Sequence, residues 1–97
     1  MSLPVVLTPE AETDFDAAAD WYQEQAGLGA KFTADVREAL NGIGQMPELH
    51  AVLHRDIRRA KVQKFPYNVY FRVRANRVEV IAVLHGRRDP SVWRSRA

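Results

Sequence analysis

Ninety-seven residues suit one domain spanning 1–97, and 46% hydrophobic content is a globular proportion, too apolar for a disordered chain. No apolar run nears the ~20 residues of a membrane span, no secretory leader is legible at the start, and with no cysteine there are no disulfides or thiolate sites, so a cytoplasmic protein is expected. The net charge of +2 hides a split: residues 1–50 hold two basic and nine acidic side chains, residues 51–97 twelve basic and three acidic, which points to an electropositive face for an anionic partner.

Leu3 to Leu7 is short, apolar and valine-rich, and reads as an opening strand. Thr8-Pro9-Glu10 then offers a capping oxygen, a proline at the first helical position and an acid in the first turn. Ala11, Phe15, Ala18, Ala19 and Tyr22 recur at helical spacing, with Asp14, Asp16, Asp20 and Glu24 read as the solvated face. Gly27-Leu28-Gly29 stops this helix. A second stripe of Phe32, Val36, Ala39, Leu40 and Ile43 runs to Met46-Pro47, so the two helices form an antiparallel hairpin.

Pro47 to Asp56 reads as a connecting loop. Ala60 to Gln63 alternates as a strand until Phe65-Pro66 interrupts. Tyr67, Val69, Phe71 and Val73 alternate with polar neighbours in a half-buried strand, and Ala75-Asn76 makes a turn. Val78 to Leu84 is apolar on both parities apart from Glu79, a central strand covered on both faces. His85 to Ala97 reads as a loop and a short final turn. The expected fold is α+β, in the order β-α-α-β-β-β, with the helical hairpin packed on one face of a mainly antiparallel sheet.

Four groups of residues bear on function. The basic set Arg58, Arg59, Lys61, Lys64, Arg72, Arg74 and Arg77 is either a solvated sheet face or a cradle for phosphates or an acidic peptide; acids are nearly absent nearby, which favours the cradle. Period two puts Arg59 and Lys61 on one face of their strand, with Arg58 and Lys64 on the other. In His85-Gly86-Arg87-Arg88-Asp89-Pro90, the arginines can grip an anion and His85 can act as acid or base; the structural alternative is that Asp89 pairs with an arginine to fix the tail. His50 and His54 have a metal-like i, i+4 spacing but no further ligands, so no metal is expected. Among the aromatics, Tyr67 and Phe71 share the core parity, while Tyr70 lies on the polar parity and is the candidate for stacking. Trp21 and Trp93 read as partly exposed, at core edges or a partner interface.

Leu7-Thr8-Pro9-Glu10-Ala11, Ala19-Asp20-Trp21-Tyr22, the run Phe65 to Val73, and Val83-Leu84-His85-Gly86-Arg87-Arg88-Asp89-Pro90 with Trp93 together resemble the RelE/ParE superfamily of type II toxins. The resemblance spans nearly the whole chain in order. It implies a helical hairpin on an antiparallel sheet, and a bacterial toxin (a plasmid stabilisation protein) bound in a hetero-oligomer by the antitoxin of an adjacent gene. It implies no cofactor. Members of the ParE branch act on DNA gyrase; RelE-like members cut mRNA on the ribosome, often with a tyrosine or histidine near the end of the chain. No tyrosine follows Tyr70 here, which favours the ParE branch. In the ribonuclease alternative His85 is catalytic, with Arg59, Lys61 and Arg87 stabilising charge. In either branch Arg59, Lys61, Lys64, Tyr70, Arg87, Arg88 and Trp93 are the expected target or antitoxin contacts.

Overall fold

Residues 2–97 are described by the structure, a computed structural model. The opening strand is β1, Val5–Leu7. Thr8 caps α1, Pro9–Ala26: its Oγ1 accepts the Ala11 N–H at 3.2 Å, Pro9 needs no amide partner, and Glu10 and Glu12 sit in the positive first turn. The helix ends on Gly27 at φ 67°, where the Gly27 N–H donates to the Gln23 carbonyl and the Leu28 N–H to that of Tyr22. Helix α2, Gly29–Gln45, has no capping side chain of its own; Gln23 Oε1 on α1 accepts the Gly29 N–H instead.

Four more strands follow: β2 (Val52–His54), β3 (Ile57–Lys61), β4 (Tyr67–Val73) and β5 (Val78–His85). The sheet order is β1-β5-β4-β3-β2, with β1 parallel to β5 and the other pairs antiparallel. The hairpin buries its stripes against one face, where Phe15, Phe32, Val36 and Ile43 meet Val69, Phe71, Val80 and Val83. Phe32 is fully buried among Phe15, Tyr22, Phe65 and Tyr67, an aromatic cluster whose truncation to alanine costs roughly 3–5 kcal/mol. Gly44 lets α2 approach the start of β1: its carbonyl accepts the Leu3 N–H at 2.9 Å, and a Cβ there would stand 2.9 Å from the Leu3 carbonyl oxygen.

Two expectations are corrected. Pro47–Leu49 is a turn of 3₁₀ helix, and Val52–His54 is an edge strand rather than loop, so the order gains a strand. Three residues with Val52 and Leu53 both exposed carry no period-two signal; pairing with β3 alone defines the strand. The second face of the sheet is also partly covered. Helix α3, Ser91–Arg94, lays Trp93 over Ile57, Tyr70, Ile81 and Leu84, forming a second, smaller core. That cover, with the hairpin opposite, explains why β5 is apolar on both parities. No described helix is long and apolar enough to cross a membrane.

A candidate anion-docking surface

Register assigns the cations to faces. Arg59 pairs with Tyr70 and Lys61 with Asn68, while Tyr67 pairs with His85 and Val69 with Val83. Partners across a ladder share a face and successive residues alternate. Tyr67 lies 5.0 Å from the Phe32 ring, so Tyr67, Val69, Val83 and His85 belong to the hairpin side. Arg59 and Lys61 therefore project, exposed, from the opposite, open face. Arg58 points to the hairpin side, where its guanidinium donates to the His50 carbonyl at 2.7 Å and weakly to that of Glu48, pinning the segment before β2.

At the far end of β3 two loops meet. The Gly86 N–H donates to the Pro66 carbonyl at 2.7 Å, joining the loop that carries Lys64 to the one that carries Arg87 and Arg88. Lys64 holds a left-handed backbone, φ 68°, which glycine adopts without strain and lysine does not. His85 Nδ1 accepts the Arg87 N–H at 3.0 Å, which leaves the neutral ring's proton on Nε2. Gly86 is neither left-handed nor crowded: a Cβ there would meet the Pro66 oxygen at 3.5 Å and Asn68 Nδ2 at 3.6 Å, ordinary contacts.

Among the described residues, four of the twelve basic side chains of the C-terminal half stand within 4.0 Å of a carboxylate: Arg72 and Arg74 beside Asp56, Arg77 beside Glu79, and Arg96 on Asp14. Arg59, Lys61, Lys64, Arg87 and Arg88 do not. Asp89, expected to pair with an arginine, accepts the Ser91 N–H instead, and that bond holds its carboxyl below the usual range. Arg96 and Asp14 fix the tail, a pairing that sequence reasoning missed because 82 positions separate the partners.

Tyr70 and Trp93 are not exposed contacts. Each is 4% exposed, and their rings stack at 4.8 Å and 14°. The polar parity of Tyr70 misleads because α3 covers that face. Trp21, 54% exposed on α1, is the free tryptophan. His50 sits against Phe71 and His54 against Trp93, on opposite faces, so the pair does not converge on a metal.

The set drawn up for RNA cleavage is likewise divided. His85 lies in a groove of about 370 Å³ between α1 and β5, with Trp21, Tyr67 and Arg88, while Arg59 and Lys61 lie on the other face. Burial, then Tyr22, push the Tyr67 phenol up against an opposing pull from Arg88, so it stays neutral at pH 7. Of that set, Arg87 stays beside His85, its N–H on the ring, and Arg88 lines the same groove, while Arg59 and Lys61 stand on the opposite face.

The family described as the ParE toxin of type II toxin-antitoxin system, parDE, matches residues 5–90. A chain of the chromosomal ParDE TA system from P. aeruginosa superposes with a TM-score of 0.76 at 20% identity, covering 87% of this chain and 96% of that one. A chain of the YoeB dimer from Staphylococcus aureus superposes at 0.56 and 14% identity, covering 84% and 94%. No curated relative matches.

Proposed function

The chain belongs to the ParE family of type II toxin–antitoxin toxins, and on that premise we propose that it disables DNA gyrase by binding, without chemistry of its own, until a cognate antitoxin occupies it. The observation that carries this reading is the set Arg59, Lys61, Lys64, Arg87 and Arg88, five exposed cations with no carboxylate within 4.0 Å. An acidic antitoxin segment is drawn to such a surface and orders as it binds. Likeness to a ParDE system chain is consistent with an antitoxin partner. A gyrase poison acts in the cytoplasm.

In the ribonuclease alternative, Arg59 and Lys61 lie on the face opposite His85 and drop out, leaving Arg87 and Arg88 as the cations beside it. Purified protein at micromolar concentration should inhibit supercoiling by gyrase or trap its cleavage complex on plasmid DNA. Unaltered gyrase activity, together with new mRNA cuts on primer extension that vanish in His85→Ala, would reverse the choice.

A further inference from the structure

We infer that Arg59 and Lys61 on the open face, with Lys64 and Arg87 in the loops at its end, form a docking surface for the phosphate backbone of duplex DNA. The inference rests on the basic surface of the preceding reading but not on gyrase. All four side chains are exposed and free of carboxylate partners within 4.0 Å. Arg59 and Lys61, two residues apart on one strand, stand roughly 6.6 Å from each other along it. That spacing is close to the distance between adjacent phosphates on one DNA strand, which the ~3.4 Å axial rise and the helical rotation set together.

What the face lacks selects the ligand. Single-stranded RNA is gripped by exposed aromatic rings that stack its bases; here Tyr70 and Trp93 are consumed by stacking on each other. An acidic peptide gains residence time from apolar anchors. Ile57, Ile81 and Leu84 on this face are buried. Exposed Val6, paired with Glu79, shares the face but lies three strands from Arg59. Leu53 sits on the edge strand β2, and exposed Trp21, Met46 and Leu49 belong to α1, the end of α2 and the 3₁₀ turn. Cations with few rings or apolar anchors among them suit the repeating charge of a phosphate backbone, and an antitoxin drawn to the same charge needs apolar anchors elsewhere to stay.

The two loops fit the same purpose. A left-handed lysine at a loop tip holds a charge where glycine would relieve the backbone. Beside Arg87, the Gly86 N–H on the Pro66 carbonyl holds the two cationic loops together. The acidic hairpin lies on the far face, and of the carboxylates on the open side Glu79 stands beside Arg77 and Asp56 beside Arg72 and Arg74.

The test is fluorescence anisotropy of a labelled mixed-sequence duplex of about 20 bp, titrated with the full chain from about 50 to 200 mM KCl. Four phosphate contacts predict a log–log slope near −3.6, or roughly 100-fold weaker binding across that range. Arg59→Ala, Lys61→Ala, Lys64→Ala and Arg87→Ala should each flatten the slope by about 0.9, while Arg74→Ala and Arg77→Ala leave it unchanged. Lys64→Gly removes the same charge while relaxing the backbone, so it reads out even where an alanine variant folds poorly.

A slope shallower than about −1, an unchanged slope in the fourfold variant, or tighter binding to single-stranded RNA of equal length would overturn the inference. Gyrase inhibition without duplex binding removes this inference and leaves the gyrase reading standing. Duplex binding without any effect on gyrase does the reverse.

Discussion

Asp14 carries more of the fold than its place in an acidic helix announces. Strand β1 stops at Leu7 opposite Val80, so β5 runs on to His85 with no strand on that side. Asp14 Oδ2 accepts the Val83 N–H at 3.1 Å and an Arg96 N–H at 2.6 Å, and Arg96 also donates to the Ile81 carbonyl at 3.1 Å. Two side chains thus supply the hydrogen bonds of a missing strand and close an edge that would otherwise pair with other chains. The Asp14 side chain is 12% exposed, so Asp14→Ala leaves a guanidinium and an amide with little access to water, at about 2–3 kcal/mol. Urea unfolding of Asp14→Ala, Arg96→Ala and the double variant should show the double losing about 1–2 kcal/mol less than the two singles combined. Strict additivity would mean the pair is decorative.

His50 gives a second test on this scale. Burial, then the Arg58 guanidinium, hold its ring below the ordinary pKa of about 6.5. The unfolded chain therefore binds the proton first as pH falls. The stability attached to neutral His50 is complete above about pH 6.5 and drains away below it. Melting temperature should fall between pH 7 and 5.5 by more in the wild type than in His50→Gln. Equal falls would place the titration elsewhere.

Elements with a clean period are legible in the sequence. The stripes Ala11–Phe15–Ala18 and Phe32–Val36–Ile43 return as the buried faces of α1 and α2, and the double-parity apolar run returns as β5. Strand β2 is invisible because three largely exposed residues have no periodicity to read. Tyr70 is misplaced for a different reason: parity reports which face a residue takes, and α3, a four-residue helix from the end of the chain, decides that this face is covered. A register irregularity at Tyr70/Phe71 accompanies burial of both neighbours. Of the expected contacts, Arg59, Lys61, Lys64, Arg87 and Arg88 are exposed, whereas Tyr70 and Trp93 are buried, because the cover by α3 is a tertiary fact that charge and parity do not carry. The loop joining β3 to β4 adds a prediction at this level. Lys64 at φ 68° is strained, so Lys64→Gly should stabilise the fold by about 0.5 kcal/mol, roughly 2–4 °C in Tm. A lower Tm would show that the lysine side chain itself packs.

For the molecule as a whole, charge is sorted by layer: an acidic hairpin, a sheet, and cations on the open face and at the loop end. Sorting of this kind acts at a distance and decays with the Debye length, about 10 Å at 0.1 M salt. Such a field acts on how quickly an oppositely charged partner arrives, whereas apolar anchors govern how long it stays. Reversing Arg87 and Arg88 together to glutamate removes two positive charges and installs two negative ones at the loop end without touching either core, since both residues are exposed. If the proposed antitoxin docks on this charge, its association rate should fall by about tenfold or more at low ionic strength, and its dependence on salt should flatten. Dissociation should change far less. If the main effect instead appears in the dissociation rate with the salt dependence intact, the two arginines are buried contacts of the complex rather than part of a long-range field, and the layer-sorted charge has no role in recognition.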